Sequence, residues 1–276
     1  MQEFQRGGYV FDVTDAGDPD GDPVVLLHGF PQDRTAWSEV TPLLNDAGLR
    51  TLAFDMRGIS PRARPKSTVE YRAIESVNDV TALLDAAGLE RAHIVGHDWG
   101  GYIAWAMACE RPERISTLTV VSTPHPAAVA KAMRSSTQAL SSLYFLLFQV
   151  PWLPEQGLAP GGVVWRWASR GLPPEHLARY RERLADPEAR RGSLAWYRVL
   201  PRDLSAPSVR WSRVDVPTMY VWGDRDPALG RTAAEATADS VTGPYRFEEI
   251  RAGHWIPETR PVLLSTLIRD HVAGGA

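Results

Sequence analysis

Short runs of consecutive apolar residues, each closed by a small or polar residue, punctuate the chain: VVLLHG (24–29), TLAFD (51–55), AHIVGH (92–97), TLTVVS (117–122) and TMYVWG (218–223). Near-continuous hydrophobicity of this kind predicts strands buried on both faces of a parallel sheet. Helical patterns lie between them. VNDVTALLDAAGL (77–89) places Val77, Val80, Leu83 and Leu84 on one face and offers Gly88 as a C-terminal cap. GYIAWAMACERPERI begins as a helix and must stop before Pro112. Alternation of strand and helix predicts an α/β fold with right-handed crossovers. YVFDV (9–13) is expected to pair at one edge of the sheet, and YRFEEI (245–250) supplies a late strand.

The texture changes after Ser122. Between residues 124 and 213 no buried strand is evident, and arginine- and tryptophan-rich amphipathic stretches such as PPEHLARYRERLADPEARRG (173–192) take over. The expected organisation is therefore a core of residues 1–123 and 214–276, interrupted by a helical lid over 124–213. Such an insertion would sit above the carboxyl edge of the strands, where open α/β sheets hold their ligands. Its arginines read as a solvated helical surface, with an anionic-substrate role as the less economical alternative.

Composition narrows the picture. The chain has 276 residues, 44% hydrophobic and 23% charged, with a formal net charge of −3, which gives no electrostatic case for nucleic acid or an anionic membrane as partner. The single cysteine, Cys109, excludes an intramolecular disulfide and a cysteine-based zinc cluster, and its neighbours AWAMACERP suggest a buried, inert thiol. The first residues lack the apolar segment of a signal peptide, and no run reaches the ~20 apolar residues needed to span a bilayer. A cytoplasmic protein is expected. No metal-ligand spacing and no phosphate-cradling glycine loop appears, so neither metal nor cofactor is expected.

The chemistry concentrates at GHDWGG, residues 96–101. Asp98 follows one strand directly and precedes a helix. A sharp turn of this kind crowds the backbone and wants small residues two positions to either side, which Gly96 and Gly100 supply. It lifts the central side chain out of the sheet and sets the Trp99 backbone N–H at a helix N-terminus, where partial positive charge gathers. A simple helix N-cap is the competing reading of Asp98. LLHGFPQ (26–32) follows an earlier strand and can offer the Phe30 N–H to the same point in space, with Pro31 locking the loop through a cis bond. VWGDRDPALG (221–230) then carries two aspartates after a late strand, and RAGHWIPETRP (251–261) carries His254. Asp226 is favoured over Asp224 as the partner of His254, because Asp224 sits where a turn-capping residue is usual.

These motifs together resemble the α/β-hydrolase fold, and within it the epoxide hydrolase branch, which uses GHDWGG and HGFP in these places. The resemblance runs over nearly the whole chain and is strongest at residues 24–33, 92–105, 218–230 and 251–261. It implies a mostly parallel sheet flanked by helices with a lid between strands, and the order nucleophile, acid, histidine as Asp98, Asp226, His254. It also implies two lid tyrosines that bind the ring oxygen. SSLYFLLFQVPWLPE is similar to the first such segment and points to Tyr144, and GSLAWYRVL to the second, with Tyr197. Tyr180, on a charged stretch, reads as surface or packing, and aromatic packing is the alternative for the chosen pair.

A carboxylate in place of serine speaks to substrate class. Attack by Asp98 on an acyl carbon would give an anhydride. Attack on a saturated carbon gives an alkyl ester, which water deprotonated by His254 can cleave at the carboxyl carbon while the N–H groups of Phe30 and Trp99 hold the oxyanion. An epoxide leaves as an alkoxide and needs a proton donor; a phenol, protonated at neutral pH, suits it. The expected partners are an apolar epoxide and water, and a homodimer is compatible with this reading. The alternatives are a dehalogenase with the same triad, in which the Trp99 indole could face the halide, and a non-catalytic binder. ISPRARP after Arg57–Gly58 departs from the family form at Ile59 and is expected near the pocket, while His125 is read as structuring its loop. The lid tryptophans Trp152, Trp165, Trp167 and Trp196 suggest an apolar roof.

Overall fold

The computed structural model of the chain describes residues 1–136 and 144–274. Its strands are β1 (Glu3–Arg6), β2 (Tyr9–Ala16), β3 (Asp22–Leu27), β4 (Leu49–Phe54), β5 (Ala92–His97), β6 (Ile115–Val121), β7 (Thr218–Gly223) and β8 (Tyr245–Ile250). They form one sheet in the order β1-β2-β4-β3-β5-β6-β7-β8. β2 runs antiparallel to β1 and β4, and the pairs from β4 through β8 are parallel. The segment expected at the sheet edge, YVFDV, lies instead one strand in: β1, with the sequence EFQR, pairs outside it. Four residues with two charges leave no periodic signal to read.

The continuous apolar runs are buried from both sides for a simple reason. Successive residues of a strand face opposite ways, so Val25 and Leu27 of β3 join one core while Val24 and Leu26 join the other. The first core is closed by α2 (Ala73–Ala86) and α3 (Trp99–Glu110), the second by α1 (Val40–Asp46) and α12 (Pro261–Gly274). Val77, Val80, Leu83 and Leu84 of α2 are fully buried on one stripe, each contributing roughly 1.5–3 kcal/mol over exposure. Gly88 ends that helix as expected: its N–H donates to Asp85 O at 3.1 Å, and Leu89 N–H reaches back to Leu84 O at 2.9 Å. Cys109, near the end of α3, is half-buried rather than buried, because the last turn emerges from the core; its Sγ lies 3.6 Å from Ser212 O.

Between β6 and β7 the described residues form α4 (Pro126–Ser135), α5 (Tyr144–Gln149), α6 (Leu153–Leu158), α7 (Val163–Ala168), α8 (Pro174–Arg183) and α9 (Pro187–Ser205). α10 (Arg231–Ala236) and α11 (Ile256–Thr259) follow β7 and β8. Ser141, Ser142 and Leu143 of the first tyrosine segment lie outside the described residues.

The arginines of this region are not simply a solvated surface. Arg183 reaches Asp55 at 2.8 Å, Asp33 at 3.4 Å and Ile59 O at 3.1 Å, and Arg191 donates to Pro65 O at 2.9 Å. Arg179 donates to Ser38, and Arg198 pairs with Glu155 and two backbone carbonyls. Charge-assisted bonds of this kind fasten helices to the loops beneath them. Asp203 works in the other direction, accepting from Arg72 at 2.7 Å and from the Ala73 N–H at 2.9 Å, so that α9 caps the start of α2. The Ile59 loop is part of this dock rather than of the cavity described below. At its centre α9 meets the loop after β4 backbone to backbone, since a Cβ on Gly192 would fall 2.1 Å from Gly58 O. Among the described residues no helix is long and apolar enough to cross a membrane.

Candidate active site

Asp98 sits between β5 and α3 with φ 52° and ψ −119°, a conformation that L residues rarely adopt. The turn is tight enough that a Cβ on Gly100 would stand 2.2 Å from Leu27 O. Asp98 makes no side-chain bond to its own helix, so the capping reading does not describe it. Its carboxylate points elsewhere. Oδ1 accepts the Phe30 N–H at 2.7 Å, and Oδ2 lies 3.4 Å from His254 Nε2. His254 Nδ1 in turn stands 2.7 Å from Asp226 Oδ2, and the N–H groups of Ala228 and Leu229 hold Asp226 Oδ1 at 2.8 and 3.1 Å. Asp224 accepts from Ala252 N–H at 3.2 Å, tying the β7 loop to the β8 loop without touching the histidine.

The electrostatics of the three side chains are coupled. Burial alone would depress the His254 pKa, but the adjoining Asp226 and Asp98 carboxylates outweigh it and hold the imidazole well above its ordinary value. Burial opposes ionisation of Asp98, yet His254 and the Phe30 N–H keep its pKa below the usual carboxylate value. The resting arrangement is an anion beside a cation.

Above Asp98 lies a cavity of about 850 Å³ whose lining includes Phe30, Tyr144, Tyr197, Trp167, Trp255 and His254. Tyr144 comes from α5 and Tyr197 from α9, with ring centroids 5.9 Å apart. The Trp99 ring packs edge-on against Tyr197, with centroids 5.0 Å apart. Burial first, and then neighbouring charge that includes Asp98, raise both phenol pKa values, so both stay protonated at neutral pH.

Trp99 opens α3, with its indole turned to Tyr197 rather than into the cavity lining. Pro31 follows Phe30 through a cis peptide bond and is buried, also outside that lining. Of the other tryptophans, Trp167 faces the cavity, Trp165 and Trp196 are packed in the interior, and Trp152 is exposed. His125 accepts the Ala127 N–H at 3.2 Å and structures the start of α4, away from the cavity. Among the described residues, no group of three or more His, Cys, Asp or Glu side chains is placed to hold a metal ion.

A polar network beneath the site left no mark in the sequence. Gln32 Oε1 accepts the Gly29 N–H at 2.7 Å and stands 2.9 Å from His97 Nδ1, while its Nε2 donates to Glu258 at 2.6 Å. His97 Nε2 faces His254 O at 2.9 Å. Burial pushes the His97 pKa down to about 4, so a neutral ring donates to one of these two acceptors. Tyr180 of α8, buried rather than on the surface, donates to Glu258 at 2.9 Å. One chain of contacts thus runs from α8 through Glu258 and Gln32 to the Phe30 loop and the His254 loop. Replacing Tyr180 by Phe removes one of two donors to a buried carboxyl oxygen, and chemical denaturation is expected to read a loss of about 1–2 kcal/mol.

Comparison with known proteins accords with this geometry. Residues 22–261 match the family model described as alpha/beta hydrolase fold. The chain is 32% identical to the AB hydrolase superfamily protein YfhM of Bacillus subtilis, covering 98% of this chain and 97% of that one. It is 30% identical to Epoxide hydrolase A of Mycobacterium tuberculosis, over 95% and 94% of the two chains. The crystal structure of Epoxide Hydrolase A from Mycobacterium thermoresistibile superposes with a TM-score of 0.82 at 27% identity, over 99% and 97%. The chain belongs to the α/β hydrolase fold family, in its epoxide hydrolase branch.

Proposed function

We propose that the protein hydrolyses an epoxide to a vicinal diol through an ester formed on Asp98. One observation carries this reading: the Asp98 carboxylate has one oxygen on a backbone N–H and the other free of the backbone, in a cavity whose lining it shares with two phenols whose rings lie 5.9 Å apart. Oδ2 attacks a ring carbon from the side opposite the breaking C–O bond, and the ring oxygen leaves toward Tyr144 and Tyr197, one of which gives it a proton. The helices of 124–213 act as a lid that brings these phenols down on the nucleophile.

The second half follows from charge. Once Asp98 is an ester its negative charge is gone, the His254 pKa falls, and the imidazole sheds its proton to solvent while the tyrosine that gave one up takes one back, so the two exchanges balance. Neutral His254 then takes a proton from water, and the hydroxide attacks Cγ of Asp98. The electron pair moves onto Oδ1, already on the Phe30 N–H, with the first helical N–H, that of Trp99, as the second donor. Collapse breaks the Cγ–Oδ2 bond, so Oδ2 leaves on the substrate carbon as one of the two diol oxygens and takes the proton from His254, and the new Asp98 carboxyl group then returns a proton to the imidazole. Asp226 orients the imidazole and offsets its charge.

In heavy-oxygen water, a single turnover places the label in the Asp98 carboxyl group and leaves the diol unlabelled. A labelled diol with unlabelled Asp98 would exclude the ester. The dehalogenase reading is weaker, because the Trp99 indole that it would spend on a halide packs edge-on against Tyr197 and is not part of the cavity lining.

A further inference from the structure

Seven of the thirteen large apolar side chains exposed among the described residues fall within residues 146–167. Leu146, Trp152 and Val163 stand 68%, 69% and 67% exposed, so these side chains project from the lid rather than pack on it. Single apolar residues scattered over a surface are ordinary, but a cluster marks a place where something docks. The helices that carry this cluster stand against one another. Trp167 of α7 meets Tyr144 of α5 with ring centroids 4.8 Å apart, and a Cβ on Gly157 of α6 would fall 2.6 Å from Val164 Cγ2 of α7. Val163 and Trp167 lie one turn apart on α7 and so share a side of it.

The turn between α5 and α6 adds an independent sign. Trp152 holds φ 69° and ψ −48°, and the Leu153 N–H donates to Pro151 O at 2.8 Å. This is the rare and strained form of the γ-turn, built on a bulky residue that ordinarily avoids positive φ. Such strain persists only where neighbouring bonds hold it, and it gathers at functional positions. Here α9 supplies the bonds. Arg198 donates to Phe148 O at 3.0 Å and Val150 O at 2.9 Å, and pairs with Glu155 at 2.5 and 2.9 Å. That pairing also neutralises Glu155, the sole carboxylate in residues 144–171, whereas Arg166 and Arg170 are exposed. Every exposed residue of the stretch is thus apolar, neutral or cationic, in a chain whose formal net charge is −3.

We infer that the outer face of α5, α6 and α7 docks on a lipid bilayer that carries anionic headgroups. Its leucine, valine and tryptophan side chains enter the boundary between headgroups and acyl chains, where tryptophan is favoured, and Arg166 and Arg170 meet the lipid phosphates. Charge decides against a second copy of this chain as the occupant. A two-fold contact sets a patch against itself, which would gather the arginines of both copies with no exposed acid of this stretch to meet them. The docking is peripheral, since no described helix is long and apolar enough to cross a membrane. Trp167 belongs both to the exposed face and to the cavity lining, so the border of the cavity comes to rest beside the bilayer. This inference stands on the surface alone and not on the epoxide reading.

The probes are vesicles of phosphatidylcholine alone and of equimolar phosphatidylcholine and phosphatidylglycerol, sedimented with the whole chain. Binding to the mixed vesicles is expected to be about tenfold or more tighter than to phosphatidylcholine, and to weaken at about 0.5 M salt. A variant carrying Leu146→Glu, Leu153→Glu and Val163→Glu is expected to lose about tenfold or more of that binding while keeping its melting temperature. The same three charges at exposed apolar positions outside this face, Val69→Glu, Val262→Glu and Leu263→Glu, cost much less. Replacing Arg166 and Arg170 by Gln removes the preference for the mixed vesicles. Failure to bind either vesicle, equal binding to both, or equal losses in the two Glu variants would overturn the docking. So would a native chain that sediments as a dimer without lipid and as a monomer once the face carries Glu, because a second copy would then cover it.

Discussion

A His254→Gln variant mixed with an excess of an aryl epoxide is expected to gain the mass of one substrate per chain, on Asp98, and then stall. The first half of the reaction needs Asp98 as an anion and a protonated phenol; glutamine leaves the phenols alone, keeps the Phe30 N–H on Oδ1, and can offer an amide N–H to the carboxylate in place of the imidazole. The second half needs a base 3.4 Å from the nucleophilic oxygen, where His254 Nε2 lies. Loss of a positioned general base costs about 10²–10⁴-fold, so steady-state turnover collapses while ester formation persists. The native protein shows the same division in its pH dependence. Asp98 ionises more readily than an ordinary carboxyl and both phenols less readily than ordinary tyrosines, so ester formation is flat across neutral pH. Ester hydrolysis needs neutral His254, whose pKa has dropped with the charge of Asp98, and it slows as pH falls through that lowered value. Rapid-quench mass measurement resolves both halves. An ester that fails to form in His254→Gln, in a chain that still folds, would sink the two-step scheme.

The second large effect belongs to the lid. With both Tyr144 and Tyr197 replaced by Phe, the cavity keeps its shape and aromatic surface but offers the ring oxygen no proton. Epoxide opening is expected to fall by about 10³-fold or more, within the range of general-acid contributions and larger than either single loss, because each phenol can partly serve for the other. Displacement of a halide, a far weaker base than an alkoxide, does not need that proton. Assaying one variant against a styrene epoxide and a benzylic bromide therefore separates the two reactions. Equal losses on both would mean that the phenols only pack the lid.

What the sequence disclosed and what it withheld follow a physical line. β5 is buried along its whole length and its sequence, AHIVGH, carries no Asp, Glu, Lys or Arg, and Asp98 with its flanking glycines is a local pattern because the turn itself is local. The position of Asp226 against His254 was legible for the same reason, as both lie just beyond strands. Contacts made by long side chains across the chain are another matter. Nothing near Arg183 or Arg191 announces that they dock onto Asp55 and Pro65, more than a hundred residues away. Tyr180 looked like a residue of a charged face, and its buried bond to Glu258 depends on where α8 comes to rest. Gln32 and His97 stand inside motifs read for other reasons, and their partners appear only when the loops are folded together. β1 escaped because an edge strand of four residues carries too short a pattern.

The bare-backbone meeting of Gly192 with Gly58 works as a machinist's stop. Side chains yield, but two peptide planes in contact do not, so the height at which Tyr197 hangs over Asp98 is set five residues upstream by a hard surface rather than by soft filling. A misplacement of 1 Å in a reacting geometry costs on the order of 10²-fold. Lids of this architecture are then poor interchangeable parts: a transplanted one keeps its phenol at working height only if it brings its own glycine to the same seat.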